Sequence, residues 1–161
     1  MASLRDKKIV VGVIGTSEPD AALSKIAEGV GREVARQGCV LICGGLGGVM
    51  EYAAKGAKKE DGLTIGILPT ETKSSANPYI DIAIATGMGE ARNIILVKSS
   101  DVLIAVGQGL GTLSEISFAL KLKKPIIGIK TWNISEQILV VDNPVKAVKE
   151  ALSLVSVMRG R

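Results

Sequence analysis

Short apolar runs alternate with longer amphipathic segments along this 161-residue chain, and the alternation limits the folds that it can adopt. The runs have the length and β-branched content of strands, whereas the segments between them place apolar residues at helical spacing. This order predicts a three-layer α/β fold, in which helices cover both faces of a mainly parallel, Rossmann-like sheet. The predicted strands are residues 8–15, 39–43, 63–68, 79–86, 101–106 and 125–129, and the predicted helices are residues 20–37, 48–59, 90–98, 112–122 and 144–157.

The runs IVVGVIG and VLIAV are apolar on both faces, which is typical of central strands in a parallel sheet covered by helices. The last predicted helix has a clear start, because Asn143 can cap it and Pro144 suits its first position. The polar stretch 69–78 follows a predicted strand. We predict that it is a surface connection, and a lid over a ligand is the alternative.

Three glycine-bearing turns each follow a predicted strand: GVIGTSEPD at 12–20, CGGLGGVME at 43–51 and GQGLGTLSE at 107–115. Parallel sheets bind ligands beyond the carboxyl ends of their strands, so we expect the three turns to converge on one pocket. Glycine lets the backbone approach a ligand, and the free N–H groups at a helix start favour an anion such as phosphate. The alternative is that each glycine serves only a tight turn. The residues predicted to bind the ligand are Gly15, Thr16, Ser17, Gly44, Gly45, Gly48, Met50, Met88, Gly107, Gln108, Gly109, Leu110, Gly111 and Thr112.

Two familiar nucleotide sites are not predicted. None of the turns has the complete G-x-G-x-x-G pattern, and the strand after the first turn ends Leu41-Ile42-Cys43-Gly44, without the acidic residue that binds a ribose hydroxyl in NAD sites. The P-loop pattern G-x-x-x-x-G-K-[ST] is absent as well. The sequence therefore predicts a small phosphorylated ligand and no separate cofactor.

Arg92 and Glu115 are the candidate catalytic residues. Thr112 and Glu115 form the Thr-x-x-Glu pattern of a helix capping box, while a carboxylate at this place could instead stabilise a cationic, sugar-like transition state or orient water. Local sequence supports both interpretations equally. Arg92 falls in the first turn of a predicted helix, where the dipole disfavours a cation, and this indicates a nearby anion. A surface ion pair with Glu90 or Asp101 is the alternative.

Composition excludes several classes of chemistry. The chain has no histidine, which rules out Ser/His/Asp and Cys/His catalysis and would leave a zinc site to two cysteines and carboxylates. No metal is predicted. A spacing of four places Cys39 and Cys43 on one face of a strand but too far apart for an easy disulfide, so we expect free buried thiols. A net charge of +4, partly from the chain ends (Arg5, Lys7, Lys8, Arg159, Arg161), and four aromatic residues give little support for a nucleic-acid partner.

The length predicts a single domain over residues 1–161. No apolar run approaches the ~18 residues of a membrane span, and the N-terminus lacks the cleavage pattern of a secretory signal. We therefore expect a cytoplasmic protein without a membrane partner.

The motifs resemble those of the Lonely Guy family, phosphoribohydrolases once described as lysine decarboxylases. The family pattern P-G-G-x-G-T-x-x-E is matched by Gly109, Gly111, Thr112 and Glu115, and its earlier pattern G-G-G-x-x-G-[LV]-M by Gly44, Gly45, Gly48 and Met50. The family arginine corresponds to Arg92. The chain departs from the family pattern in Gly107 and Gln108 for Pro-Gly, Cys43 for glycine, Asn93 for lysine and Ser114 for glutamate.

The run 91–129 is more similar to a sister branch of the SLOG superfamily that includes molybdenum cofactor carriers. The resemblance implies a homodimer or higher homo-oligomer. It also implies hydrolysis of the N-glycosidic bond of a nucleoside 5′-monophosphate, with Arg92 and Glu115 as the catalytic pair. The alternative is a non-catalytic carrier or sensor of a phosphorylated ligand, such as the molybdenum cofactor or another pterin phosphate.

Overall fold

The computed structural model describes residues 7–160, and these build a seven-stranded sheet in which every strand pair is parallel. The strand order is β4-β3-β2-β1-β5-β6-β7. The strands are β1 (Val10–Gly15), β2 (Val40–Cys43), β3 (Thr64–Leu68), β4 (Ile82–Ala85), β5 (Val102–Val106), β6 (Ile126–Ile129) and β7 (Ile138–Val140). The chain starts at the centre, builds one half outward to β4 and then crosses to β5. Open α/β sheets bind ligands at such a switch point, here between the carboxyl ends of β1 and β5.

Helices cover both faces of the sheet, which confirms the predicted three-layer fold. They are α1 (Ala21–Arg36), α2 (Val49–Lys58), α3 (Arg92–Ser99), α4 (Leu110–Lys121) and α5 (Pro144–Arg159), with short 3-10 turns at Lys73–Ser75 and Gly89–Ala91. Buried residues of α1, α2 and α5 share one core cluster, and those of α3 and α4 share the other. The start of α5 is as predicted, because the Asn143 side chain accepts a hydrogen bond from the Lys146 N–H at 2.9 Å and Pro144 is the first helical residue.

The central strands β1 and β5 are buried on both faces, as their apolar sequences predict. Cys39 and Cys43 are free and buried in the larger core cluster, which confirms the predicted thiols. Burial raises the pKa of Cys43 to about 11, because a thiolate would be poorly solvated there. Both cysteines are therefore core residues.

Two glycines let α1 and α2 pack with their backbones in close approach. A Cβ atom on Gly31 would clash with the carbonyl oxygen of Ala53, and one on Gly56 would clash with that of Glu28. This close packing fixes the position of α2, which begins directly after the second glycine turn.

The edges of the sheet differ from the prediction. Strand β7 was not predicted, because only Ile138 of its three residues is buried and the run is too short for a clear pattern. At the opposite edge β4 is shorter than the predicted strand 79–86, and both Ile82 and Ile84 are exposed. Edge strands carry a weaker apolar signal than central strands because fewer of their residues are buried.

Residues 69–78 are exposed or half-buried except for Asn77, in line with the predicted surface connection. Within the part of the chain that the structure describes, no helix is both long and apolar enough to cross a membrane. The first six residues and residue 161 of the predicted domain, with Arg5 and Arg161 of the basic chain ends, lie outside the described residues.

Candidate functional site

A cavity of about 280 Å³ opens beyond the carboxyl ends of β1 and β5. This volume is just below the ~300–1,000 Å³ of typical small-ligand pockets, so it suits one phosphorylated ring system better than a dinucleotide. The structure brings together in its wall many of the predicted residues: Gly15, Thr16, Ser17, Met50, Arg92, Gly109, Leu110, Gly111, Thr112 and Glu115. All three glycine turns contribute to it, as their position at one sheet edge predicts.

The other predicted residues lie outside this wall. Met88 and Gln108 are exposed, and Gly44, Gly45, Gly48 and Gly107 shape the turns instead. A Cβ atom on Gly44 would clash with Nη1 of Arg92, so the guanidinium lies directly against the Gly44 backbone. Gly48 has a φ of +74°, and a Cβ atom there would lie 2.6 Å from Cα of Ser17, so the first and second turns pack backbone to backbone.

Helix α4 starts earlier than predicted, and this changes the interpretation of Thr112. Its first residue is Leu110, after the extended Gly109, whose carbonyl accepts the first helical bond from the Leu113 N–H at 2.9 Å. Thr112 therefore lies inside the helix, and the predicted capping box with Glu115 does not form. No side chain among residues 7–160 caps the helix. The N–H groups of Leu110, Gly111 and Thr112 thus have no acceptor within the helix, at the wall of the cavity.

The segment after β6 reaches this helix start. Trp132 donates a hydrogen bond from Nε1 to the Gly109 carbonyl at 3.0 Å. No sequence pattern connects Trp132 with the site, because Trp132 and Gly109 are 23 positions apart and their contact depends on the order of β5 and β6.

Arg92 is the first residue of α3 and is only 6% exposed. Its Nε has no hydrogen-bond partner among the described residues. Nη1 of Arg92 lies 3.9 Å from Oε1 of Glu115. The alternative partner Asp101 is engaged elsewhere, because its carboxylate accepts from the Val10 N–H at 2.8 Å and pairs with Arg159 at 3.2 Å.

Glu115 is buried beside this arginine. Burial raises the pKa of its carboxyl to about 7, because the desolvation of the ionised form outweighs the attraction of Arg92, and the nearby Glu90 raises it further. Near neutral pH the group is therefore a mixture of acid and carboxylate. It can donate a hydrogen bond to a ligand in the first form and accept one in the second.

Two positions that depart from the Lonely Guy pattern contact each other. Asn93 donates from Nδ2 to Oγ of Ser114 at 3.0 Å, and that hydroxyl donates to the Gly111 carbonyl at 2.7 Å. A neutral hydrogen bond thus stands where the family pattern has a lysine and a glutamate. Arg92 is consequently the one cationic side chain among the described residues of the cavity wall.

Leu46, Glu90 and Asn93 also line the cavity and were not predicted as site residues. Leu46 lies within the second turn, and Asn93 follows Arg92, so the turn and the motif were the available signals. The donors of the wall suit an anion: the free N–H groups of α4, the Arg92 guanidinium and the Thr112 hydroxyl, whose Oγ1 is buried without a partner in the described chain. No group of three or more cysteine, aspartate or glutamate side chains able to hold a metal ion occurs within residues 7–160.

A family model and a related protein each match nearly the whole chain. The model of the SLOG cluster4 family matches residues 8–156. A protein of Archaeoglobus fulgidus described as uncharacterized is 49% identical over 147 residues, which are 91% of this chain and 97% of that protein.

Two solved structures have the same fold at substantial identity. The molybdenum cofactor binding protein of Rippkaea orientalis is 40% identical with a TM-score of 0.89, over 93% of this chain and 99% of that one. The molybdenum cofactor carrier protein of Chlamydomonas reinhardtii is 34% identical with a TM-score of 0.83, over 93% and 99% of the two chains.

Proposed function

The chain belongs to the SLOG cluster4 family, and from this membership and the site we propose that it is a non-catalytic carrier of the molybdenum cofactor, a phosphorylated pterin. One observation carries the proposal. The cavity wall contains buried donors without partners, Arg92 Nε and Thr112 Oγ1, next to a helix start that no side chain caps. Unpartnered buried polar groups are costly, so they favour a site that is completed by an anionic ligand.

The relatives support the choice of ligand. The Rippkaea and Chlamydomonas proteins are described by their binding or carriage of the molybdenum cofactor, and each aligns with more than nine-tenths of this chain. The cofactor would be cargo in such a protein and would bring its metal with it. A carrier needs affinity and protection of the ligand, and it needs no bond cleavage.

Each part of the wall has a role in this proposal. The N–H groups of α4 and the Thr112 hydroxyl bind the phosphate, and Arg92 balances its charge. Leu46 and Met50 supply the apolar surface against which a ring can pack. Glu115 faces the remaining ligand polar groups as a hydrogen-bond donor or acceptor.

A second candidate function rests on the contact between Arg92 and Glu115. In a phosphoribohydrolase the Glu115 carboxylate would stabilise the oxocarbenium-like ribose and orient water, while Arg92 would hold the ribose or phosphate. Water would add to the anomeric carbon as the N-glycosidic bond breaks, releasing free base and ribose 5-phosphate. This activity needs ionised Glu115, so its rate would rise with pH through about 7.

The carrier proposal is tested by loading. The purified protein is incubated with molybdenum cofactor freshly released from a denatured molybdoenzyme, and molybdenum and pterin fluorescence are measured in the protein peak after gel filtration. We expect molybdenum and pterin fluorescence to co-elute with the protein. In Thr112→Val the bound amount of both should fall about tenfold or more. Ser117→Ala is the control, because the Ser117 hydroxyl only donates to the Leu113 carbonyl on the exposed face of α4. Elution without pterin would contradict the proposal.

The hydrolase candidate is tested in parallel with a panel of nucleoside 5′-monophosphates. Release of base and ribose 5-phosphate, lost by orders of magnitude in Glu115→Gln, would establish the second candidate in place of the carrier. We expect no release.

We also propose that the protein acts in the cytoplasm as a homodimer, as its family resemblance implies. Light scattering after gel filtration tests the assembly, and a mass of one chain would contradict it.

A further inference from the structure

Asn77 is a buried polar residue at the end of a mostly exposed loop, residues 69–78. It is 9% exposed, whereas residues 71–75 are exposed. A polar side chain buried at one end of a surface loop needs partners, and these show what the loop is attached to.

The partners of Asn77 lie in residues 43–48 of the second turn, which precede helix α2. Its backbone N–H donates to the Gly45 carbonyl at 2.9 Å, and its side-chain Nδ2 donates to the Leu46 carbonyl at 2.9 Å. Its Oδ1 accepts from the Tyr79 N–H at 3.0 Å, which orients the amide. Both hydrogen-bonding ends of the side chain are thus used, one on the turn and one on Tyr79 just after the loop.

The second turn is also held by a hydrogen bond from the Gly45 N–H to Cys43 Sγ at 3.4 Å and by the backbone contact of Gly48 with Ser17. Gly45 and Gly48 have φ values of +76° and +74°, and glycine has the greatest backbone freedom of all residues. Beneath it lies another glycine, since a Cβ atom on Gly66 would be 3.0 Å from Cα of Gly45. Glycine residues offer few side-chain contacts, so the hydrogen bonds from Asn77 add to the order of the turn.

The position of this turn matters to the cavity in two ways. Leu46 is part of the wall. Gly44 lies against the Arg92 guanidinium, so a displacement of the turn would change the space in which that side chain is held beside Glu115.

We propose that Asn77 is a positioning residue for the ligand site, which acts through the second turn on Leu46 and Arg92. The loop 69–78 is then a strap that holds the site in shape and does not close over it. The inference rests on the proposed function in that it assigns the strap to the anion-binding cavity.

The experiment compares Asn77→Ser and Asn77→Asp with the matched control Ser75→Ala. Serine keeps the backbone N–H and an acceptor for Tyr79 but does not reach the Leu46 carbonyl, and aspartate cannot donate to it. Ser75→Ala removes a hydrogen bond inside the loop, to Thr70, and leaves the attachment to the turn intact. Two quantities are measured: amide hydrogen exchange by residue, and the affinity for sulfate with its dependence on pH.

We expect amides 44–48 to exchange about tenfold faster or more in both Asn77 variants, with the β2 amides unchanged, and sulfate affinity to fall about tenfold. The pH at which sulfate binding is half-maximal should also shift in the Asn77 variants. A residue that acts only on folding would leave this pH unchanged. If Asn77→Asp does not fold, Asn77→Ser decides.

Unchanged exchange in the turn would overturn the inference, and so would fast exchange with wild-type sulfate affinity. If the wild-type protein binds no sulfate, the proposed function fails, while the exchange of the turn still shows whether Asn77 positions it.

Discussion

The Arg92 guanidinium lies 3.9 Å from the Glu115 carboxylate, and each side chain is less than one-tenth exposed. A buried ion pair needs good geometry and additional hydrogen bonds to offset desolvation, whereas here the two groups are 3.9 Å apart and Arg92 Nε has no partner among the described residues. The pKa of Glu115 is raised to about 7 despite the neighbouring cation. In the proposed function an anionic ligand completes the pair, and an anion on the Arg92 side would favour the protonated form of Glu115.

We predict that anion affinity falls as the pH rises through about 7. Ionised Glu115 repels a bound dianion, and a unit charge a few ångströms away at an effective dielectric constant of ~20 changes affinity by roughly a hundredfold or more. Sulfate is the probe because its charge is constant between pH 5.5 and 8.5. The chain has no histidine to titrate in this range. Calorimetric titration should show the decrease in the wild type and a flat profile in Glu115→Gln; equal profiles would contradict the prediction.

The same group predicts a pH dependence of stability. The Glu115 pKa is about 7 in the folded protein and near 4.5 in the unfolded chain, so folding binds a proton between these values. The stabilising contribution is complete below pH 4.5 and is lost as the pH rises through 7. The free energy of unfolding of the wild type, relative to Glu115→Gln, should fall by about 3 kcal/mol between pH 4.5 and 8.

Urea denaturation of both proteins across this range measures the difference. Glu60→Gln is the control, because Glu60 is paired with Arg32 and Arg36 and its pKa is lowered. The stabilising contribution of Glu60 is present above the ordinary glutamate pKa and is lost in acid. The stability difference between the wild type and Glu60→Gln should therefore change with pH in the opposite direction. If the difference in the free energy of unfolding between the wild type and Glu115→Gln stays constant across this pH range, Glu115 is ionised throughout it.

The convergence of the three turns could be predicted because it depends only on the parallel direction of the strands, which apolar runs such as IVVGVIG and VLIAV indicate. The start of α4 could not. Thr-x-x-Glu looks the same whether threonine is the cap or lies inside the helix, and here Gly109 starts the helix with its carbonyl bound by Trp132. That contact follows from the order of β5 and β6, which no local pattern contains.

Hydrogen bonds between side chains of different helices could not be predicted from the sequence either. Asn93 and Ser114 appeared as separate departures from a family pattern, and only the packing of α3 against α4 shows that they form one hydrogen bond. Asn77 gave no signal, because a single asparagine in a polar loop is ordinary. Sequence thus predicts which turns form the site, whereas the groups that hold those turns in place depend on tertiary contacts.

Gly44→Ala should fold but bind anions poorly. The added methyl would collide with Arg92 Nη1 and Met50 Sδ, which are flexible side-chain ends that can move aside. Displacement of the guanidinium removes the one cation of the wall, so sulfate affinity should fall by about tenfold or more while the melting temperature changes by only a few degrees. Gly47→Ala is the matched control, since its methyl would find only Glu51 Oε2, at 3.8 Å. Equal affinity in both variants would contradict the role given to Arg92.

Trp132→Phe should weaken anion binding without unfolding the protein. Phenylalanine keeps most of the apolar packing of the ring but cannot donate to the Gly109 carbonyl, so the start of α4 loses the bond that holds it from outside the helix. We expect sulfate affinity to fall several-fold and the amides of residues 110–112 to exchange faster. The neighbouring variant Thr131→Val is the control: its hydroxyl is buried without a partner in the described chain, so its removal should leave binding unchanged and stability equal or higher. If Trp132→Phe binds sulfate like the wild type, the N–H groups of α4 are held by the helix alone, and the segment after β6 has no part in the site.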